Sequence, residues 1–127
     1  MLKDSKAFSS IAVKDLAKAK EFYGKTLGLK VEEIKEMGLV HITFAGGGKL
    51  MIYPKDDYKP AVFTVLNFPV DDVEKTVDDL TDKGVKFEQY DDFHTDKKGI
   101  SRDWGNEIAW FKDPSGNIIA VLKIPEK

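Results

Sequence analysis

Apolar positions along the chain recur with two different periods. Residues 7–13 and 62–70 are short and rich in apolar or β-branched side chains, which is typical of strands. After each comes a segment in which apolar residues stand three or four positions apart, as on one face of a helix. These residues are Leu16, Ala19, Tyr23 and Leu27 in the first segment, and Val73, Val77 and Leu80 in the second. The pattern therefore predicts a strand followed by a helix, twice.

The same two segments carry signals for where each helix begins and ends. Asp15 and the pair Asp71-Asp72 stand at the N-cap position, where a carboxylate accepts hydrogen bonds from free backbone N–H groups. Gly28 and Gly84 stand where a residue in the left-handed conformation ends a helix. Both helices are thus predicted to have an aspartate cap and a glycine stop.

Three further strands are predicted after each helix. They cover 29–36, 39–45 and 49–54 in the first half, with a turn at 46–48, and 85–91, 106–112 and 117–124 in the second half, with a turn at 113–117. The order β-α-β-β-β occurs twice, so we expect an α+β fold of two tandem βαβββ modules. Module 1 is residues 1–54, a polar linker covers 55–61, and module 2 is residues 62–127 of one domain.

Composition excludes several classes of protein. The 127 residues have 20 Lys and Arg against 22 Asp and Glu, and this balance argues against a nucleic-acid-binding protein. Apolar runs fall far short of the roughly 20 residues that span a bilayer, so no membrane association is expected. The chain has no Cys, which excludes disulfides and thiolate chemistry. With no visible secretory signal, we expect a cytoplasmic protein.

Two motifs resemble a known family. Residues 8–31, with Val13-Lys14-Asp15-Leu16 and Leu27-Gly28-Leu29, resemble the opening of glyoxalase / bleomycin-resistance / extradiol-dioxygenase proteins, and residues 111–117 resemble their closing hairpin. The resemblance covers nearly the whole chain. It implies the vicinal oxygen chelate fold, in which paired modules form a cupped mixed β-sheet with helices outside. It also implies a metal or ligand inside the cup and, as is common among small members, a homodimer.

The implied metal ligands of this superfamily are His, Gln or Glu on the first and last strands of each module. Counting along the chain places Phe8 and Val65 at the two first-strand positions. Ala120 takes the last-strand position of module 2, and Ile52 takes that of module 1 if its glycine turn is one residue shorter. None of the four offers an oxygen or nitrogen donor. We therefore expect no metal and no other cofactor.

Strand alternation indicates which side chains could line the cup. Phe8, Ser10 and Ile52 are expected there from module 1, and Asn67 and Ala120 from module 2. This set describes an apolar cavity in which a serine and an asparagine are the few polar points, as in small-molecule sites. The alternative is that the same side chains fill the cup completely.

Other candidates lie outside these positions. His41, on the predicted strand 39–45, is either a surface residue or a general base or hydrogen-bonding group in the pocket. Loop 91–105 is long enough to be a lid presenting Phe93, Arg102 or Trp104 to a ligand, or a surface excursion anchored by Trp104. Arg102 is the only arginine, so any bidentate contact to a carboxylate or phosphate would use it.

The leading hypothesis is a metal-free small-molecule-binding protein that holds an apolar or aromatic ligand in its cup. Residues 64–127 carry 14 acidic against 9 basic side chains, which adds a cationic ligand as an option. The second hypothesis is an enzyme: a glyoxalase-like lyase or isomerase, or a dioxygenase with displaced metal ligands, or a metal-free isomerase with His41 as base. A third is an interaction domain whose cup is filled.

Overall fold

The computed structural model describes residues 1–124, apart from the side chain of Trp104. The strands of this part are β1 (Ser9–Val13), β2 (Lys30–Ile34), β3 (Leu39–Thr43), β4 (Lys49–Pro54), β5 (Thr64–Pro69), β6 (Ile100–Ser101), β7 (Ile108–Lys112) and β8 (Ile118–Leu122). The helices are α1 (Leu16–Glu21), which a π-helical turn (Phe22–Thr26) continues, and α2 (Val73–Asp82). The α+β class and the two βαβββ modules are as predicted. The chain divides into two compact units, residues 1–59 and the part that begins at Pro60.

Module 1 forms a four-stranded mixed sheet in the order β1-β4-β3-β2. β1 runs parallel to β4, and the other neighbours are antiparallel. The core of the module contains Val13, Ile42 and Ile52, none of which has any exposed surface. Ala19 of α1 and Tyr23 of the π-helical turn are buried as well. Two of the apolar residues that gave the first helix its period thus face inward.

Module 2 repeats the arrangement, with the strand order β5-β8-β7-β6 and a parallel pairing of β5 with β8. Helix α2 packs on β7 and β8 through Val73 and Val77, which are buried together with Ile119 of β8. Burial of these branched side chains is the main stabilising term of the module. Within residues 1–124, neither helix is both long and apolar enough to cross a bilayer.

The helix signals in the sequence are confirmed. The Asp15 carboxylate accepts a hydrogen bond from the Lys18 backbone N–H at 3.1 Å, and the Asp72 carboxylate accepts one from Lys75 N–H at 3.0 Å. Of the Asp71-Asp72 pair, the second is therefore the N-cap. Gly28 and Gly84 have φ angles of +73° and +94°, and residues other than glycine rarely adopt such angles.

One predicted strand is wrong. Residues 85–91 form no strand but a single bridge, in which Phe87 pairs with Phe111 of β7 and Glu88 N–H donates to the carbonyl of Trp110. Further along the same edge, β7 pairs with β6, which lies inside the segment predicted as loop 91–105. Two short segments therefore share the place where the sequence pattern predicts one strand.

Candidate ligand-binding site

The face of module 1 that is predicted to line the cup can be traced strand by strand. Ser10 lies opposite Met51, Met51 lies opposite His41, and His41 lies opposite Glu32. Residues opposite one another point to the same face of a sheet, so these four side chains form one row across it. The Phe8 ring lies 6.2 Å from the His41 ring, between ring centroids.

Ile52 does not share this face, and its predicted place beside Ser10 is wrong. It lies opposite Ile11 and is completely buried in the core of module 1. Successive residues of a strand point to opposite faces, so Met51 takes the place that the sequence analysis gave to Ile52.

In module 2, Asn67 lies opposite Ala120, and Ala120 lies opposite Trp110. Asn67 is exposed, whereas Ala120 has no exposed surface and Trp110 is 9% exposed. The face on which the sequence analysis placed Asn67 and Ala120 therefore continues to an indole ring on β7.

Next to Trp110, module 2 contains a cavity of about 410 Å³. Its walls come from β7, β8 and the segment between residues 93 and 107. The lining residues are Phe93, Ser101, Asp103, Asn106, Glu107, Ile108, Trp110, Leu122, Lys123 and Ile124. A volume of this size falls within the range of roughly 300–1,000 Å³ found for small-molecule sites.

Three aromatic rings stand together at the cavity. The Phe93 and Trp110 rings are 5.1 Å apart with their planes 33° from parallel, and both line the cavity. Tyr90 contacts Trp110 edge-on at 5.3 Å. Burial, followed by the nearby Glu88 carboxylate, raises the pKa of Tyr90, so its phenol remains neutral at physiological pH. Tyr90 is therefore an uncharged ring that packs against Trp110 without lining the cavity itself.

Arg102 lies at the centre of a network of carboxylates. Its guanidinium hydrogen-bonds to Asp96 and lies 3.3 Å from Glu107 and 3.6 Å from Glu74 of α2. The Asp96 hydrogen bond, opposed by desolvation, raises the pKa of Arg102. Of these residues, only Glu107 lines the cavity. The predicted ligand contact of Arg102 would have to compete with three carboxylates of its own module.

Part of loop 91–105 is incorporated into the sheet as β6, which pairs with β7. Ile100, in β6, has no exposed surface, and its backbone N–H donates to the Asp96 carboxylate at 3.0 Å. His94, with a φ of +52°, places its Nδ1 3.2 Å from Asp103, which lines the cavity. The side chain of Trp104 lies outside the described part of the structure. This loop therefore contributes walls to the cavity through Phe93, Ser101 and Asp103.

Sequence reasoning anticipated only part of this cavity. Of the lining residues, the sequence analysis named Phe93 as a ligand contact, and alternation along the last strand from the predicted cup residue Ala120 leads to Leu122. Ile108 could have been found as the cross-strand partner of Leu122. The polar residues Ser101 and Asn106 had no signal, because they lie in or beside the loop whose course the pattern did not predict.

Comparison with known proteins decides the family. Residues 7–121 match the profile of the Glyoxalase/Bleomycin resistance protein/Dioxygenase superfamily. The chain belongs to this superfamily. A Bacillus subtilis (strain 168) relative, the uncharacterized protein YraH, is 28% identical over 127 residues, which cover 90% of this chain and 94% of the relative.

Solved structures of this superfamily's fold are also similar. The glyoxalase family protein from Enterococcus faecalis has a TM-score of 0.67 at 20% identity, with 97% of this chain and 100% of that chain covered. The oxidase ChaP-H2 has a TM-score of 0.66 at 20% identity, covering 96% and 95%. At such identities the likeness shows the fold, and it leaves the chemistry to be argued from the residues.

The residues of this chain do not fit the metal that the superfamily implies. The first-strand positions hold Phe8 and Val65, and the last-strand positions hold Ala120 and, with the register of β4, Met51 in place of Ile52. A thioether is a poor ligand for hard or borderline cations, and the other three side chains have no donor atom. Among residues 1–124, no group of three or more His, Asp or Glu is arranged to hold a metal ion.

His41 lacks what a general base requires. A catalytic imidazole is normally oriented by a hydrogen-bond partner on its other nitrogen. In the part of the chain that the structure describes, the His41 ring has Phe8 as an aromatic neighbour, and no side-chain hydrogen bond or ion pair orients it. The interpretation of His41 as a base therefore gains no support from its surroundings.

Proposed function

We propose that the protein binds a small molecule with an apolar or aromatic body in the cavity of module 2, without a metal ion. The observation that carries this proposal is the cavity of about 410 Å³ with Phe93 and Trp110 in its wall. Such a wall supports stacking of a planar ligand, and Ile108 and Leu122 supply aliphatic surface beside it. Burial of a ligand's apolar surface there is the source of affinity.

The uncharged dye N-phenyl-1-naphthylamine tests this proposal, because its fluorescence increases in apolar surroundings. We expect saturable binding to the wild-type protein and at least a tenfold loss of affinity in Leu122→Trp, whose indole would occupy the cavity. Val62→Trp is the matched control, since Val62 is 93% exposed in the same module and is not part of the lining. Equal binding by all three proteins would overturn the proposal.

The metal-free part of the proposal has its own test. Because none of the four superfamily positions offers an oxygen or nitrogen donor, Ni²⁺, Zn²⁺ or Mn²⁺ should leave the melting temperature unchanged. Native mass spectrometry of protein purified without chelator or affinity metal should give a metal-free species, and we propose that it is a homodimer. One metal ion per chain, or a rise in melting temperature that EDTA abolishes, would favour an enzyme with displaced ligands instead.

A further inference from the structure

Ser101 is the buried polar residue among the described residues that line the cavity of module 2. It is 2% exposed, whereas the other polar lining residues are half-buried or exposed. Ser101 lies in β6 directly opposite Ile108 of β7, which in turn lies opposite Leu122 of β8. Residues opposite one another point to the same face of a sheet. Because Ile108 and Leu122 also line the cavity, the register places the Ser101 side chain on the cavity face.

The Ser101 hydroxyl has a proton to donate. Its oxygen accepts a hydrogen bond of 3.5 Å from the Asp103 backbone N–H. A hydroxyl group also carries one donor, and within residues 1–124 no atom accepts a hydrogen bond from that of Ser101. A buried donor without an acceptor costs free energy. A ligand that brings an acceptor to this point of the cavity is therefore favoured.

Ser101 is held in place from both sides along the chain. Ile100, before it, has no exposed surface and lies opposite Ala109 of β7. The Ile100 backbone N–H donates to the Asp96 carboxylate at 3.0 Å, and Arg102, after Ser101, hydrogen-bonds to the same carboxylate. A group that is fixed before the ligand arrives loses little freedom on binding. The backbone thus presents the Ser101 hydroxyl to a ligand at small entropic cost.

We propose that Ser101 makes the cavity selective for aromatic ligands that carry a hydrogen-bond acceptor, such as a ketone oxygen, on the side of the ring that faces β6. The inference rests on the proposed function and names the chemical class of its ligand. Ser101 is the diagonal neighbour of Trp110, and such neighbours lie about 7–8 Å apart on one face of a sheet. An acceptor attached to a ring that lies against Trp110 and Phe93 therefore reaches the hydroxyl.

A purely apolar ligand of the same shape fits this lining less well. It would cover the Ser101 hydroxyl and exclude water from it without offering an acceptor in return. The free energy lost in this way is the basis on which a polar site rejects an analogue that lacks the matching group. Selectivity at Ser101 thus depends on one oxygen atom of the ligand.

Two naphthalenes of nearly the same shape test this selectivity. The first is 2-acetylnaphthalene, which has a ketone oxygen, and the second is 2-isopropenylnaphthalene, in which a methylene group replaces that oxygen. Displacement of N-phenyl-1-naphthylamine, followed by its fluorescence, measures both affinities. We expect Ser101→Ala to bind the ketone about three- to tenfold more weakly than the wild type, since a hydrogen bond makes a net contribution of this size. The alkene should bind to the variant at least as tightly as to the wild type.

Two controls show that the loss comes from the hydroxyl itself. Ser10→Ala removes the hydroxyl of an exposed serine of module 1, outside the lining, and should change neither affinity. The affinity of Ser101→Ala for the dye, which has no carbonyl group, should equal that of the wild type and so report an intact cavity. Because the hydroxyl is uncharged, the preference for the ketone should be the same at low and high salt.

The outcomes separate this inference from the proposed function. If the dye binds to the wild type, but Ser101→Ala weakens the ketone and the alkene equally or weakens neither, the role of Ser101 is wrong and the cavity remains a binding site. The same conclusion follows if neither naphthalene displaces the bound dye. If the dye does not bind to the wild type, the proposed function itself fails.

Discussion

Ser10 lies directly opposite Met51 in the parallel pairing of β1 with β4. Asn67, its counterpart in the repeat, lies opposite Ala120 in the pairing of β5 with β8, so Met51 and Ala120 are equivalent positions of the two modules. The equivalence arises because both closing turns have the same length. Phe44 N–H donates to the carbonyl of Gly48, and Asp113 N–H donates to that of Asn117, each four residues ahead.

The register predicts losses of stability of different size for two neighbouring residues. Ile52→Ala should lower the free energy of unfolding by about 2–5 kcal/mol, because Ile52 is completely buried and its removal leaves a cavity. Met51→Ala should cost less, since the Met51 side chain is half-buried on the other face. Urea unfolding followed by circular dichroism measures both. Equal losses would contradict the register of β1 and β4.

This register also shows where sequence reasoning stops. The repeat, the helix caps and the strand at 49–54 follow from local chemistry, such as the Asp15 cap and the short glycine turn, and the structure has them where predicted. The face of Ile52 was missed because it depends on a turn length that the sequence Gly46-Gly47-Gly48 does not specify. A one-residue change moves every side chain of a strand to the opposite face.

The second module shows a different limit. Val85 and Phe87 are both buried, so their alternation is real, yet the segment makes only one bridge to β7. Gly99 passes so close to Phe87 that an added Cβ would lie 2.9 Å from the Phe87 Cβ. Segment 85–91 and β6 both have apolar residues, and tertiary packing rather than local sequence decides which of them pairs with β7 as a strand. The cavity walls between residues 93 and 107 depend on this choice, and the sequence therefore did not predict them.

Asp113 holds the closing turn of module 2, and its replacement should be costly. The buried carboxylate accepts hydrogen bonds at 2.9 Å from the backbone N–H groups of Ser115 and Asn117 and from the Asn117 side-chain amide. Asp113→Ala leaves these donors without that acceptor, and we expect a loss of about 2–4 kcal/mol in urea unfolding. Asp56→Ala, at an exposed residue of the linker, is the control and should change stability by less than about 0.5 kcal/mol.

Asp96 should make the stability of the protein depend on pH in acid. Burial would raise the pKa of Asp96, but hydrogen bonds from Arg102 and from the Ile100 and Lys98 backbones outweigh it and lower that pKa below its ordinary value of 3.8. The folded protein thus binds the proton less readily than the unfolded chain. The contribution is present in full above the ordinary value and is lost as pH falls through the lowered one.

Comparison of the wild type with Asp96→Asn measures this contribution. The difference in free energy of unfolding should be constant above about pH 5 and should shrink as the pH falls toward about 2. Asp92→Asn, at an exposed residue of the same loop, should show no such trend. A difference that grew toward low pH would contradict the assignment of Asp96 as a hydrogen-bonded carboxylate.

Phe93 should matter for binding more than for folding. Its ring is 40% exposed and lies 5.1 Å from the Trp110 ring in the cavity wall, so its removal costs little core packing but takes away one aromatic surface of the proposed site. We expect Phe93→Ala to weaken binding of N-phenyl-1-naphthylamine by about three- to tenfold, as an aromatic contact contributes about 0.5–1.5 kcal/mol. Phe63→Ala removes a ring that is 65% exposed and outside the lining, and should leave the affinity unchanged. If the two variants weakened binding equally, the dye would be bound by scattered surface aromatic residues. That result would contradict the assignment of the module 2 cavity as the binding site.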